Sequence, residues 1–247
     1  MSAFRFRFLL PALLLLFLGQ MAGQAQEGRK ADPHAAFAKA DAALNVVWAK
    51  AKAALSDFEF NKLKEEQRAW IDYRDSMARD PRLSGVESRE DLPPTAKEYL
   101  EIAAHLTEQR TQWIEGRISP KGGDGITGIW IDSYGGHIEI VEEGETLAFI
   151  ISCARGPTSH AGELRGLADW GSRLGWFKEK PSKENPDMLA RLAFIYRDGH
   201  QLEVVGASTS WHHGANAYFD GIYTKVDTLS PQKQKEVLRK AKNPVDE

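Results

Sequence analysis

The stretch "EEQRAWIDYRD", residues 65–75, sets the rhythm of the first half of the chain. Trp70, Tyr73 and Met77 follow Leu63 at spacings that share one helical face, and the charged residues between them face outward. Arg68 and Asp72, four apart, offer a surface ion pair worth about 0.2–0.5 kcal/mol. Leu44, Val47, Trp48, Ala51 and Leu55 keep the same rhythm upstream. Ala, Lys, Glu, Gln and Leu, all good helix formers, dominate from Pro33 to Arg117. Ser56 or Asp57 can cap a second helix, and Pro81 marks where it stops. A third helix is expected over "PPTAKEYLEIAAHLTEQRTQWIEGR", with Pro94 or Thr95 at its start and Gly116 past its end. Three such helices predict a small antiparallel bundle.

Beyond "ISPKGGDG", residues 118–125, the period shortens. "ITGIWIDS", "GHIEIVEE", "TLAFIISC", "GELRGLADW", "LGWFKEK", "RLAFIYRD", "QLEVVGAS" and "AYFDGIYTKV" are short runs of β-branched and aromatic residues between turn signals. Asp198-Gly199 supplies the positive φ angles of a tight hairpin. About eight antiparallel strands in a barrel or sandwich are expected. "SPQKQKEVLRKAK" reads as a last short helix, with Ser230 as cap and Pro231 at the first helical position. The fold class is α+β: a helical unit at 31–117, a linker at 118–125, a β unit at 126–227 and a C-terminal helix and tail at 228–247.

At the N-terminus Arg5 and Arg7 precede "FLLPALLLLFLG", an apolar run shorter than the roughly 20 residues of a membrane span. Gly23 and Ala25 then stand at the positions of a small-residue cleavage site, so residues 1–25 read as a secretory signal peptide, the alternative being a retained anchor. No Cys follows the run to take a lipid. A periplasmic or secreted chain without membrane insertion is expected. Cleavage removes the two arginines and leaves 222 residues, moving the net charge from −3 to −5. That balance excludes a strongly basic nucleic-acid surface and favours a basic partner. Cys153 is the only cysteine, so stability rests on packing without an intramolecular disulfide.

"LNVVWAKAKAAL" followed by "KLKEEQRAWIDYRD" resembles the signature of the LprI-type lysozyme inhibitor family. The matching positions are Leu44, Asn45 and Trp48 on the first helix and Leu63, Gln67, Arg68, Trp70, Tyr73, Arg74 and Asp75 on the second. The resemblance spans residues ~33–117. Family members usually staple these helices with cysteines, commonly one just after the Arg-Asp pair, where this chain has Met77-Ala78. On helical spacing these motif residues are expected to be structural first.

In the β half, "ARGPTSHAGELRG" (154–166) and "TSWHHGANAYFDGIY" (209–223) gather Arg155, His160, Trp211, His212, His213 and Asn216 in expected loops, where binding residues tend to sit. The plain alternative is that the glycines only make turns and Trp211 folds onto the barrel end. His212 and His213 are adjacent and point apart in extended chain, and no zinc-ligand spacing is present, so no metal is expected. Cys153 ends an apolar strand, which suits a buried inert thiol better than a nucleophile. No cofactor motif appears.

The resemblance implies a non-enzymatic partner of lysozyme, an inhibitor that occludes the active-site cleft. An acidic protein would be steered to a basic lysozyme, and a loop Arg or His could pair with the cleft's two carboxylates. Two other readings remain open. One is an envelope module that holds peptidoglycan, another glycan or an exported protein, with Trp170, Trp176 and Trp211 as carbohydrate platforms. The other is a Cys153-dependent hydrolase.

Overall fold

A computed structural model describes residues 32–119, 125–155, 160–181, 189–197 and 201–243. The expected signal peptide, most of the linker, Gly156-Pro157 and the Asp198-Gly199 turn lie outside the described residues.

Three long helices form the N-terminal unit: α1 (Pro33–Ala54), α2 (Asp57–Arg79) and α3 (Lys97–Ile118). The Asp32 side chain accepts from the His34 amide at the start of α1, with Pro33 at the first turn. α2 opens with a full capping box: Ser56 Oγ accepts from Glu59 N at 3.3 Å and Glu59 Oε2 accepts from Ser56 N at 3.0 Å. Asp80 ends α2 and caps a 3₁₀ turn, Pro81–Leu83. α3 starts at Lys97 with no side-chain cap, three residues after Pro94 and two after Thr95, the expected starts. Leu44, Val47, Ala51, Leu63, Trp70, Met77, Leu106, Trp113 and Ile114 fill the core between the helices.

Eight strands follow: β1 (Gly128–Ile131), β2 (Gly136–Glu143), β3 (Thr146–Ala154), β4 (Ala161–Gly171), β5 (Leu174–Lys178), β6 (Arg191–Arg197), β7 (Gln201–Ala207) and β8 (Gly221–Asp227). Each pairs antiparallel with the next, and β1 also pairs with β8, so the sheet closes into an up-and-down barrel rather than a sandwich. Closure leaves no sheet edge to protect. Trp130, Phe149, Phe177, Phe194, Phe219 and Tyr223 fill the interior with Ile, Leu and Val from alternate positions, as a barrel of this strand number allows. Ala217 to Asp220, expected to begin the last strand, instead form a plug: Ala217 and Phe219 are buried before β8 starts at Gly221. The last helix, α4 (Pro231–Lys242), lies across β2, β3 and β4, burying Val237 and Ala241 against Val141 and Ala148. Among the described residues, no helix is long and apolar enough to cross a membrane.

The helical unit does not hang from a free linker. Ile131 and Val226 of the barrel share one core with Trp113 and Ile114 of α3. Gly116, expected as a C-cap, sits inside α3 and makes this contact possible. A Cβ there would lie 2.7 Å from Thr224 Cγ2 and 2.8 Å from the Lys225 carbonyl oxygen, so the absence of a side chain lets the helix lie directly on β8.

Candidate functional site

The connections β1–β2, β3–β4, β5–β6 and β7–β8 all emerge at one end of the barrel. The two loops that carry most of the expected binding residues are joined there. Gly162 and His213 form an antiparallel bridge, the Glu163 amide donates to the His212 carbonyl at 3.0 Å, and the Gly214 amide donates to the Ala161 carbonyl at 2.9 Å. Gly162 is needed for this closeness, since a Cβ would lie 2.3 Å from the His213 Cβ.

The side chains at this end divide into inward and outward sets. Arg155 is turned inward, not displayed. Its Nη2 lies 2.6 Å from Asp132 Oδ2, with both side chains almost wholly buried, and Nη1 donates to the Tyr134 carbonyl at 2.9 Å. The ring of Tyr218 covers the guanidinium at 4.2 Å. Burial alone would lower the basicity of Arg155, and the Asp132 charge more than offsets it, so the group stays charged. Asp132 is also an Asx turn: its Oδ1 accepts from Tyr134 N at 2.8 Å and from Gly136 N at 2.7 Å. This buried pair, with its hydrogen bonds to the Tyr134 and Gly136 backbone, ties the β3 end to the β1–β2 turn, while Arg155 Nε is buried without a hydrogen-bond partner.

His213 also faces inward, edge-on to Phe219 at 5.4 Å, with Thr209 Oγ1 3.1 Å from its Nε2. His212 points the other way and meets Glu179 at 2.9 Å, which ties the β5–β6 connection to the plug. Neither histidine belongs to a metal-ligand cluster among the described residues. Outward lie Trp211, 53% exposed, Tyr218, and Asn216, whose Nδ2 is 3.3 Å from His160 Nε2. Trp211 does not fold back onto the barrel end. Cys153 is buried in β3, and burial pushes its thiol up, the opposite of the activation a nucleophile needs.

The family-motif residues knit the helices and reach this barrel end. Gln67 Oε1 accepts from Arg110 Nε at 2.8 Å. Arg110 is 1% exposed, lies between the rings of Trp70 and Trp113, and burial lowers its pKa to about 10. Arg74 covers the rings of Phe37 and Trp70 and pairs with Asp75 at 2.8 Å, which also accepts from the Tyr99 hydroxyl at 3.0 Å. That is the ion pair of this helix face, in place of the Arg68–Asp72 pair the spacing offers. Leu44 and Leu63 are core, Trp48 packs on Phe60 at 5.2 Å, and Asn45 donates to Asp41 at 3.1 Å on the surface. Tyr73 crosses to the barrel, its hydroxyl within 3.1 Å of the Tyr134 carbonyl and 3.2 Å of the Ala154 carbonyl.

Two features had no motif to announce them. The first is a shallow depression of about 440 Å³ at the C-terminal end of α2, lined by Asp72, Asp75, Arg79, Asp80 and Asp91. Asp75 and Asp80 are held by Arg74 and Arg82, whereas Asp72 and Asp91 form no ion pair among the described residues. The Asp80 carboxyl is kept below its ordinary range chiefly by its hydrogen bond to Arg82, and His160 of the β3–β4 loop adds a smaller pull. Helix depression and barrel-end loops are therefore neighbours. The second is a groove of about 410 Å³ along the seam between α3 and β8.

Neither the curated proteins nor the solved structures contain a match to this chain. Residues 20–114 match the model of the family described as Lysozyme inhibitor LprI, a span that takes in most of the helical unit and leaves the barrel outside it.

Proposed function

We propose that the chain is an exported protein that binds lysozyme and inhibits it by covering the active-site cleft. The observation that carries this reading is the position of α2, the helix bearing the family motif. Asp72 on that helix and Asp91 beyond its end line a concave surface, and His160 of the β3–β4 loop acts on Asp80 at its margin. Carboxylates without an ion pair among the described residues suit a basic protein partner through steering by charge, and Trp211, exposed at the barrel end, offers an aromatic anchor. His212 and His213 hold the loops in place beneath this surface, and Arg155 with Asp132 fixes their base. The contact made this way is noncovalent and uses no cofactor. Residues 31–117 and 126–227 act as two domains that meet along the α3–β8 seam.

The test is a lysis assay on bacterial cell-wall suspensions, with residues 26–247 titrated against lysozymes of the c, g and i types. Slowing of one type at near-stoichiometric concentration is expected. Unchanged lysis by all three refutes the reading.

A further inference from the structure

The seam groove is built from both units and from groups the lysozyme-facing surface does not use. Trp113 and Arg117 come from α3, Glu66 from α2, Tyr134 from the β1–β2 turn, and Tyr218, Asp220 and Ile222 from the β7–β8 segment. We propose that this groove binds a short neutral saccharide, of one or two pyranose rings.

Four observations lead to that ligand class. The size, about 410 Å³, lies within the range of small-molecule sites, roughly 300–1,000 Å³. Aromatic rings and the half-exposed Ile222 supply flat apolar surface for the carbon faces of sugar rings. Most of the charge is paired, Glu66 with Arg117 at 3.1 Å and Asp132 with Arg155 at 2.6 Å, which leaves Asp220 as the one lining carboxylate without an ion pair among the described residues and gives an anion no surplus of positive charge. Bonding capacity nevertheless remains. Asp220 Oδ1 accepts from Gly206 N at 2.8 Å and keeps its second oxygen, Glu66 keeps its Oε1, and Ser133 and Gln201 bring groups that both donate and accept. Carboxylates with spare oxygens beside groups that donate match hydroxyl groups, which donate and accept by turns.

The seam also carries unmet demand. Trp113 Nε1 and Thr224 Oγ1, on two residues that line the groove, are buried without a hydrogen-bond partner, as are Nη1 and Nη2 of Arg110 one helical turn from Trp113. Buried polar groups are seldom left unpaired, so their concentration beside one groove marks a place where polar ligand or water belongs.

The test uses the mature chain with no lysozyme present, so failure here and failure of lysozyme inhibition are read separately. N,N′-diacetylchitobiose and cellobiose are titrated by calorimetry, with glucuronate and arginine methyl ester as anionic and cationic probes. Saturable binding of a neutral disaccharide is expected, with a dissociation constant of about 0.1–1 mM. Ser133→Trp, which fills the groove from a half-buried turn, is expected to weaken it at least tenfold. Trp176→Ala, on the barrel face away from the groove, is expected to leave it unchanged. Equal thermal melts of the two variants exclude misfolding as the cause. The proposal is overturned if no neutral sugar binds, if a charged probe binds more tightly, or if Trp176→Ala removes binding that Ser133→Trp spares.

Discussion

Replacing Gly116 by Ala should destabilise the protein, although helix propensity alone says the reverse. In the interior of α3 the exchange gains about 1 kcal/mol of intrinsic helix preference. The new methyl group, however, would lie 2.7 Å from Thr224 Cγ2 and 2.8 Å from the Lys225 carbonyl oxygen. Thr224 is 1% exposed and cannot swing into solvent, and the Lys225 oxygen belongs to β8, paired on both sides in a closed barrel. The helix must therefore lift, loosening Trp113 and Ile114 from Ile131 and Val226. Overpacking against backbone belongs at the upper end of the usual range, about 3 kcal/mol. The net loss is then about 2 kcal/mol, or about 4–8 °C in melting temperature for a chain of this size. Thermal and urea unfolding followed by far-ultraviolet circular dichroism reads it. Gly171→Ala, where a Cβ meets nothing within 4 Å, serves as control and should stay within about 0.5 kcal/mol of wild type. A Gly116→Ala protein that melts higher than wild type would refute the seating of α3 on the barrel.

Gln67 is the side-chain acceptor for Arg110, so Gln67→Leu should cost about 2–3 kcal/mol by urea unfolding, and adding Arg110→Met should recover most of it. A double variant as unstable as the single would show that the pair is not the cause. His137, beside Lys233, has its pKa lowered to about 4, mainly by burial and further by that charge. The unfolded chain binds this proton near pH 6.5 and the folded chain does not, so stability should fall as pH drops from about 6.5 toward 4. His137→Gln should flatten that slope, and an unchanged slope would exclude His137 as the source. Cys153 should resist iodoacetamide at pH 7.5 until urea unfolds the barrel, and Cys153→Ala should inhibit lysozyme as well as wild type. Rapid labelling of the native protein would contradict its burial.

The architecture was largely legible because each unit keeps one hydrophobic period. Leu63, Trp70 and Met77 do lie in one core, and each of the eight expected strand runs overlaps one strand of the barrel. Periodicity describes one element at a time, and the misreadings came where elements meet. Gly116 reads as a helix terminator by its residue type, but its role comes from β8, which the local sequence does not contain. Arg155 looks like a loop hot spot until Asp132, 23 positions earlier, takes its guanidinium inward. "DSYGG" offered a hint, since an Asp before glycines often turns the chain with its own carboxylate. The depression on α2 and the groove on β8 could not be read at all, because each assembles residues from distant segments.

The most direct test of lysozyme binding is a calorimetric titration of residues 26–247 into a basic c-type lysozyme at about 0.05 M and 0.15 M salt. One-to-one binding that weakens with salt is predicted, reduced at least tenfold in an Asp72→Lys, Asp91→Lys double variant that melts like wild type. Absence of binding at both salt concentrations, or binding indifferent to the charge reversal, would contradict the account.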